Sequence, residues 1–157
     1  MALTLANQLS REGFLVDLVL TEGEGEYISF LSKNVSQTRL NGNGSVRVLI
    51  RLIRYLRNNH PDIVLSFMEI NNILAIVARI LSFIRVKIII TIHAVLTQEK
   101  RHSNNFNYRT SITLARYLYP LADGIVGVSQ GVVHDLVKRF GISKYQCKTI
   151  YNPVDFI

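Results

Sequence analysis

Two hydrophobic patterns alternate along the chain. Short continuous apolar runs, rich in β-branched residues, read as buried strands; longer stretches with apolar positions every three or four residues read as helices. Residues 2–12 form a helix ended by Gly13, a usual residue just past a helix C-terminus. FLVDLVL (14–20) is a strand and TEGEGE a loop. YISFL reads as a short helix or turn, with a short strand around Val35. LNGNGS (40–45) is a loop with Ser45 as candidate N-cap. VRVLIRLIRYLRNNH (46–60) is a helix stopped at Pro61. DIVLSFM is a strand, NNILAIVARILSF (71–83) a helix and VKIIITI a strand, and a loop runs from Ala94 to Asn105. NYRTSITLARYLYPLA is a helix that breaks near Pro120. DGIVGVS is a strand, QGVVHDLVKRFG a helix closed by Gly141, and CKTIYNPVD a last strand.

Strands of this continuous kind, alternating with helices, belong to a parallel sheet buried on both sides. The expected fold class is α/β: a Rossmann-like open parallel sheet with helices on both faces. A doubly wound domain normally begins on a strand, whereas the first element here is a helix. Residues 1–151 are therefore expected to form a domain without its first strand. Residues 152–157, with Asn152-Pro153-Val154-Asp155, read as the start of an exit linker.

Composition narrows the picture. The 157 residues suffice for one domain with a real core, and 48% of them are hydrophobic. A mean hydropathy of +0.22 raises the question of a membrane span at residues 70–92. Arg79, Arg85 and Lys87 interrupt that stretch, and Ile70 to Ala78 is too short to cross, so helix followed by strand is the reading. MALTLANQLSREG reads as a helix, not a signal peptide. The sole cysteine, Cys147, allows no intramolecular disulfide, which suits a reducing compartment. No Cys/His cluster has metal-ligand spacing. A net charge of +7 favours anionic partners, such as a phosphorylated substrate or an acidic membrane surface. Nucleic acid is not expected, because no aromatic-basic platform or helix-turn-helix pattern is present.

Open α/β sheets bind ligands beyond the carboxyl ends of their strands. That places Glu69, Asn71, Asn72, His93, Ser129, Gln130, Gly131 and Asn152 on one edge. Ser129 is a good N-cap, Gly131 allows close approach, and the free N–H groups of that helix start suit a phosphate. His93 can exchange a hydrogen bond with a hydroxyl or hold a phosphate when protonated; alternatively a neighbouring carbonyl satisfies it. Glu69 either orients hydroxyl groups or simply favours the start of the next helix. His60, His102 and His134 have weaker claims. Lys100, Arg101 and His102 form a basic cluster just after His93, placed to hold a phosphate. On the helix 46–60, Arg47, Arg51 and Arg54 share one face and Val46, Leu49, Ile50, Ile53 and Leu56 fill another. The basic face is either simply solvated or drawn to anionic lipid head groups.

ADGIVGVSQGVVHDLVKRFGISKYQCKTIYNPVD (122–155) resembles the closing segment of the N-terminal domain of family 4 glycosyltransferases of the GT-B fold. LANQLSREGFLVDLVL is similar to the first helix and second strand of that domain. YLRNNHPDIVLSF and TIHAVL are similar to two of its later segments. The resemblance covers nearly the whole chain. It implies an acceptor-binding domain facing a C-terminal, donor-binding domain that is not in this chain. The implied reaction is retaining transfer of a sugar from a nucleotide-sugar to an acceptor hydroxyl. The nucleotide-sugar is a co-substrate, and neither a further cofactor nor an obligatory metal is implied. The implied acceptors are glycans or lipid-linked saccharides.

By the same resemblance His93 corresponds to a cleft histidine and is the candidate catalytic residue. Glu69, Asn72, Lys100, Arg101, Ser129, Gln130, Gly131 and Asn152 are the candidate substrate-binding set. Arg47, Arg51 and Arg54 are the candidate membrane-surface set of a cytoplasmic, peripherally attached protein. A fragment of this kind is expected to be inactive alone. The alternative is a non-catalytic α/β binding or interaction module.

Overall fold

The computed structural model describes residues 1–21, 26–98 and 106–152. The chain divides into two compact units, one within residues 1–51 and one spanning Leu52–Asn152.

The first unit holds α1 (Ala2–Arg11), β1 (Asp17–Leu20), a 3-10 turn (Glu26–Phe30) and β2 (Ser36–Arg39). β1 and β2 pair in parallel, Asp17 opposite Ser36 through Leu20 opposite Arg39. The strand is shorter than its apolar run, since Phe14 and Leu15 are exposed. Gly13 takes a φ of 91° just past α1, the left-handed position that ends the helix. Asn7 then ties α1 to the following segment: its Nδ2 donates to the Phe30 carbonyl at 2.9 Å, and its Oδ1 accepts from Ser32 N–H at 2.8 Å.

α2 (Ser45–Asn59) runs from the first unit into the second. Ser45 is the first helical residue and not the expected cap; Val48 N–H reaches the Gly44 carbonyl at 3.2 Å. The buried face also differs from expectation. Val48, Leu52 and Leu56 are buried, a spacing of four that keeps one side inward, whereas Val46 and Ile50 are exposed. Arg57 at the far end donates to the carbonyls of Leu81 and Ser82, closing the C-terminus of α3.

The second unit is built on a four-stranded parallel sheet of order β3 (Ile63–Phe67), β4 (Lys87–Ile92), β5 (Gly124–Gly127), β6 (Cys147–Thr149). Phe67 stands opposite Thr91, Ile92 opposite Gly127, and Gly127 opposite Thr149, so the four carboxyl ends lie on one edge. The connecting helices are α3 (Glu69–Ser82), α4 (Phe106–Leu118) and α5 (Gln130–Phe140). β4 is the buried centre: Ile88, Ile90 and Ile92 have no exposed surface. Fully burying such a side chain is worth roughly 1.5–3 kcal/mol, so the isoleucine row of VKIIITI alone fixes the strand as core. Parallel strands between helices thus form as expected, but in two sheets, because among the described residues β1 pairs only with β2 and β3 only with β4. No helix of the described residues is long and apolar enough to cross a membrane.

Candidate active site

The carboxyl edge of the four-stranded sheet gathers most of the expected residues. β3 ends at Phe67, and Met68 turns the chain with a φ of 76° so that Glu69 opens α3. Glu69 is half-buried in the first helical turn, where a carboxylate is favoured by the helix dipole. β4 ends at Ile92 and delivers His93, which is exposed. Its imidazole lies 6.3 Å from the Phe67 ring, centroid to centroid, tilted by 36°. β5 leads to Ser129, whose Oγ accepts the Val132 N–H at 3.2 Å and caps α5 as expected. Gln130 and Gly131 follow, both exposed. β6 leads to Asn152, also exposed.

Two expected residues, Asn72 and Arg51, are committed to the protein's own backbone. Asn72 is fully buried, and its Nδ2 donates to the Thr91 carbonyl at 3.0 Å, so it braces β4 beneath the edge and is not open to a substrate. Burial follows from its place three residues into α3, on the side that packs against the sheet. Its Oδ1 has no hydrogen-bond partner among the described residues. Gly131 has free space around it, since among the described residues a Cβ there would meet only the Ser129 Oγ at 3.7 Å. Lys100 and Arg101, with His102, fall outside the described residues. On α2, the Arg51 guanidinium is committed to the loop, with Nη1 donating to the carbonyls of Leu40 and Asn41. Arg47 and Arg54 are exposed.

Two residues that support this edge were not expected from sequence. At Gly127 a Cβ would stand 2.7 Å from Val133 Cγ2 and 3.3 Å from Val133 N–H nitrogen, so α5 can begin this close to β5 only over a glycine. Asp135, only 6% exposed, receives the Thr97 hydroxyl at 2.6 Å and the Thr97 N–H at 3.2 Å. A local pattern could have found the glycine, as a strand-ending GVS before a helix. None could have found Asp135, whose partner is 38 positions away.

Chemically the edge offers an imidazole, a carboxylate, amide groups and a capped helix start, which together suit a hydroxyl-rich or phosphorylated ligand. Cys147 lies half-buried in β6, and burial raises its thiol pKa, so it stays protonated at neutral pH. A groove of about 690 Å³ opens at the other end of the sheet, among Asp62, Ile63, Ile80, Arg85 and Lys87. None of the strand-end residues lines it, and the ligand rule for open sheets favours the carboxyl edge.

The family model for Glycosyltransferase Family 4 matches residues 1–156. The chain belongs to glycosyltransferase family 4. A relative in Campylobacter jejuni subsp. jejuni is 44% identical over 52 residues, 33% of this chain and 14% of its own length. That protein is the N-acetylgalactosamine-N,N'-diacetylbacillosaminyl-diphospho-undecaprenol 4-alpha-N-acetylgalactosaminyltransferase. Among solved structures, HepE of Anabaena in complex with UDP aligns over 96% of this chain and 39% of its own, with 17% identity and a TM-score of 0.66. A glycosyltransferase from Rickettsia africae aligns over 96% and 38%, with 16% identity and a TM-score of 0.66. The lipopolysaccharide outer core galactosyltransferase WaaB, in its apo form, aligns over 85% and 34%, with 20% identity and a TM-score of 0.58. The family 4 chain therefore has the fold of GT-B glycosyltransferases and spans about two fifths or less of these relatives.

Proposed function

We propose that this chain is the acceptor-binding half of a family 4 sugar transferase. The full-length enzyme moves a sugar from a nucleotide-sugar to an acceptor hydroxyl with retention, and the carboxyl edge of the four-stranded sheet faces the reacting groups. The observation that carries this is the grouping of Glu69, His93, Ser129–Gly131 and Asn152 on that edge in a family 4 chain. His93 serves the acceptor hydroxyl or the donor phosphate, Glu69 orients hydroxyls, and the start of α5 offers N–H groups to a phosphate. The donor itself is held by a second domain, and no metal is required. The α linkage in the Campylobacter enzyme's name supports retention, because a donor with an α-linked sugar gives that product when configuration is kept. Its diphospho-undecaprenol substrate supports a lipid-linked acceptor.

A lipid-linked acceptor and a nucleotide-sugar donor together fit a protein attached peripherally to the cytoplasmic face of a membrane. The exposed outer side of α2 supports this, with Arg47 and Arg54 beside Val46 and Ile50. The test uses the full-length product of this reading frame, a panel of UDP- and GDP-sugars, and undecaprenyl-diphosphate-linked saccharides as acceptors. Transfer with retained anomeric configuration is expected. His93→Ala is expected to lower kcat/KM by about 100-fold or more with an unchanged melting temperature. Absence of transfer across the panel would leave a non-catalytic binding module as the better description.

A further inference from the structure

His93 has no hydrogen bond of its own among the described residues; its contact is the Phe67 ring. The place of the imidazole is therefore set by the backbone on either side. Upstream, the Ile92 carbonyl accepts the Val128 N–H at 3.2 Å, and the Thr91 carbonyl accepts from Asn72. Downstream the sheet gives no support, because β4 ends at Ile92. Leu96 is buried, and residues 96–98 take up a helical turn. The first N–H groups of such a turn lack an acceptor of their own. Asp135 supplies one, taking both the N–H and the hydroxyl of Thr97 on its two oxygens.

A buried carboxylate is costly in this setting. Arg139 offsets little of that, with Nε at 3.8 Å and a side chain 62% exposed. A leucine at 135 would pack α5 without the cost. The carboxylate adds a fixed spacing between the segment that leaves His93 and the helix that carries Gln130 and Gly131. We propose that Asp135 is a positioning residue, which through Thr97 holds the His93 segment against α5 and so sets where the imidazole stands. This rests on the reading of His93 as a site residue.

The test uses the full-length protein with ¹³C-labelled histidine, the His93 signal being assigned by its loss in His93→Ala. Asp135→Asn and Thr97→Val are expected to shift or broaden the His93 signal while that of His60, remote from both substitutions, stays in place. Thr97→Ser, which keeps the hydroxyl, is expected to retain the parent spectrum. With whichever nucleotide-sugar of the panel supports turnover, kcat is expected to fall about 10- to 100-fold in the first two variants at unchanged donor KM. Thr97→Ser is expected to restore it. A His93 signal that does not move in either variant overturns the proposal, and so does a joint shift of His93 and His60. Should Asp135→Asn not fold, Thr97→Val keeps the N–H bond and remains readable. Full turnover in His93→Ala together with a moved His93 signal in Thr97→Val would sink the reading of His93 and leave the positioning role standing.

Discussion

Gly127 and Gly131 stand four residues apart on either side of the Ser129 cap, and packing constrains only the first. A methyl at 127 would press on Val133 at 2.7 Å, so Gly127→Ala must push α5 off β5. The expected cost is about 1–3 kcal/mol, read as a lower denaturant midpoint of the purified protein. At 131 a methyl has room and favours the helix, so Gly131→Ala is expected to leave stability unchanged or raise it by up to about 1 kcal/mol. If the start of α5 takes a phosphate, that same methyl intrudes on the ligand, and nucleotide affinity falls while stability does not. Equal losses of stability in both variants would contradict the geometry. The contrast also marks what a sequence shows at this scale. A glycine before a helix signals that some close approach exists, but which partner approaches, protein or ligand, depends on side chains from another element. For Asn72 and Asp135 the decisive partners are 19 and 38 positions away, so no local pattern revealed that one braces β4 and the other holds Thr97.

Between elements, Asp123 is the clamp that sets β4 against β5. Its Oδ2 accepts the Ile88 N–H at 2.8 Å and the Arg79 guanidinium at 2.6 Å, and its own N–H returns to the Ile88 carbonyl at 2.8 Å. The two bonds to the carboxylate differ in kind. The Ile88 N–H belongs to a residue with no exposed surface while the carboxylate covers it, so loss of the acceptor removes a sheltered hydrogen bond. The Arg79 pair has side chains 20% and 44% exposed, so it is worth at most about 1 kcal/mol and is screened by salt. Asp123→Ala is therefore expected to cost about 1–3 kcal/mol, and most of that loss is expected to persist between 0.1 and 1 M NaCl. A loss that vanishes at high salt would show that the ion pair is the larger part. Element order was legible because most strands lie in short apolar runs bounded by polar residues, glycine or proline, VKIIITI most clearly. Element faces were less so. On α2 the apolar residues outnumber one stripe, and burial selects Val48, Leu52 and Leu56 over Val46 and Ile50.

Across the whole molecule, the two units differ in how much structure protects them. The first has a two-stranded sheet of four residue pairs, and every residue of β1 is only half-buried. Two strands are marginal as an independent sheet. The second has four strands around a β4 whose isoleucines 88, 90 and 92 are wholly buried. Its opening should thus carry the higher free energy, and all described site residues from Glu69 to Asn152 lie within it. Hydrogen exchange by mass spectrometry separates the two. Amides of β4 and β5 are expected to exchange at least about 100-fold more slowly than those of β1 and β2, a gap of roughly 3 kcal/mol. α2 supplies an internal check, because it is one helix with Arg51 in the first unit and Leu52 in the second. If the units open separately, protection should rise along α2 across that boundary. Uniform protection along α2, with β1 exchanging as slowly as β4, would show a single cooperative body. In the expected case the candidate edge stays formed while the first unit opens, so the candidate residues on it do not depend on the weaker unit being closed.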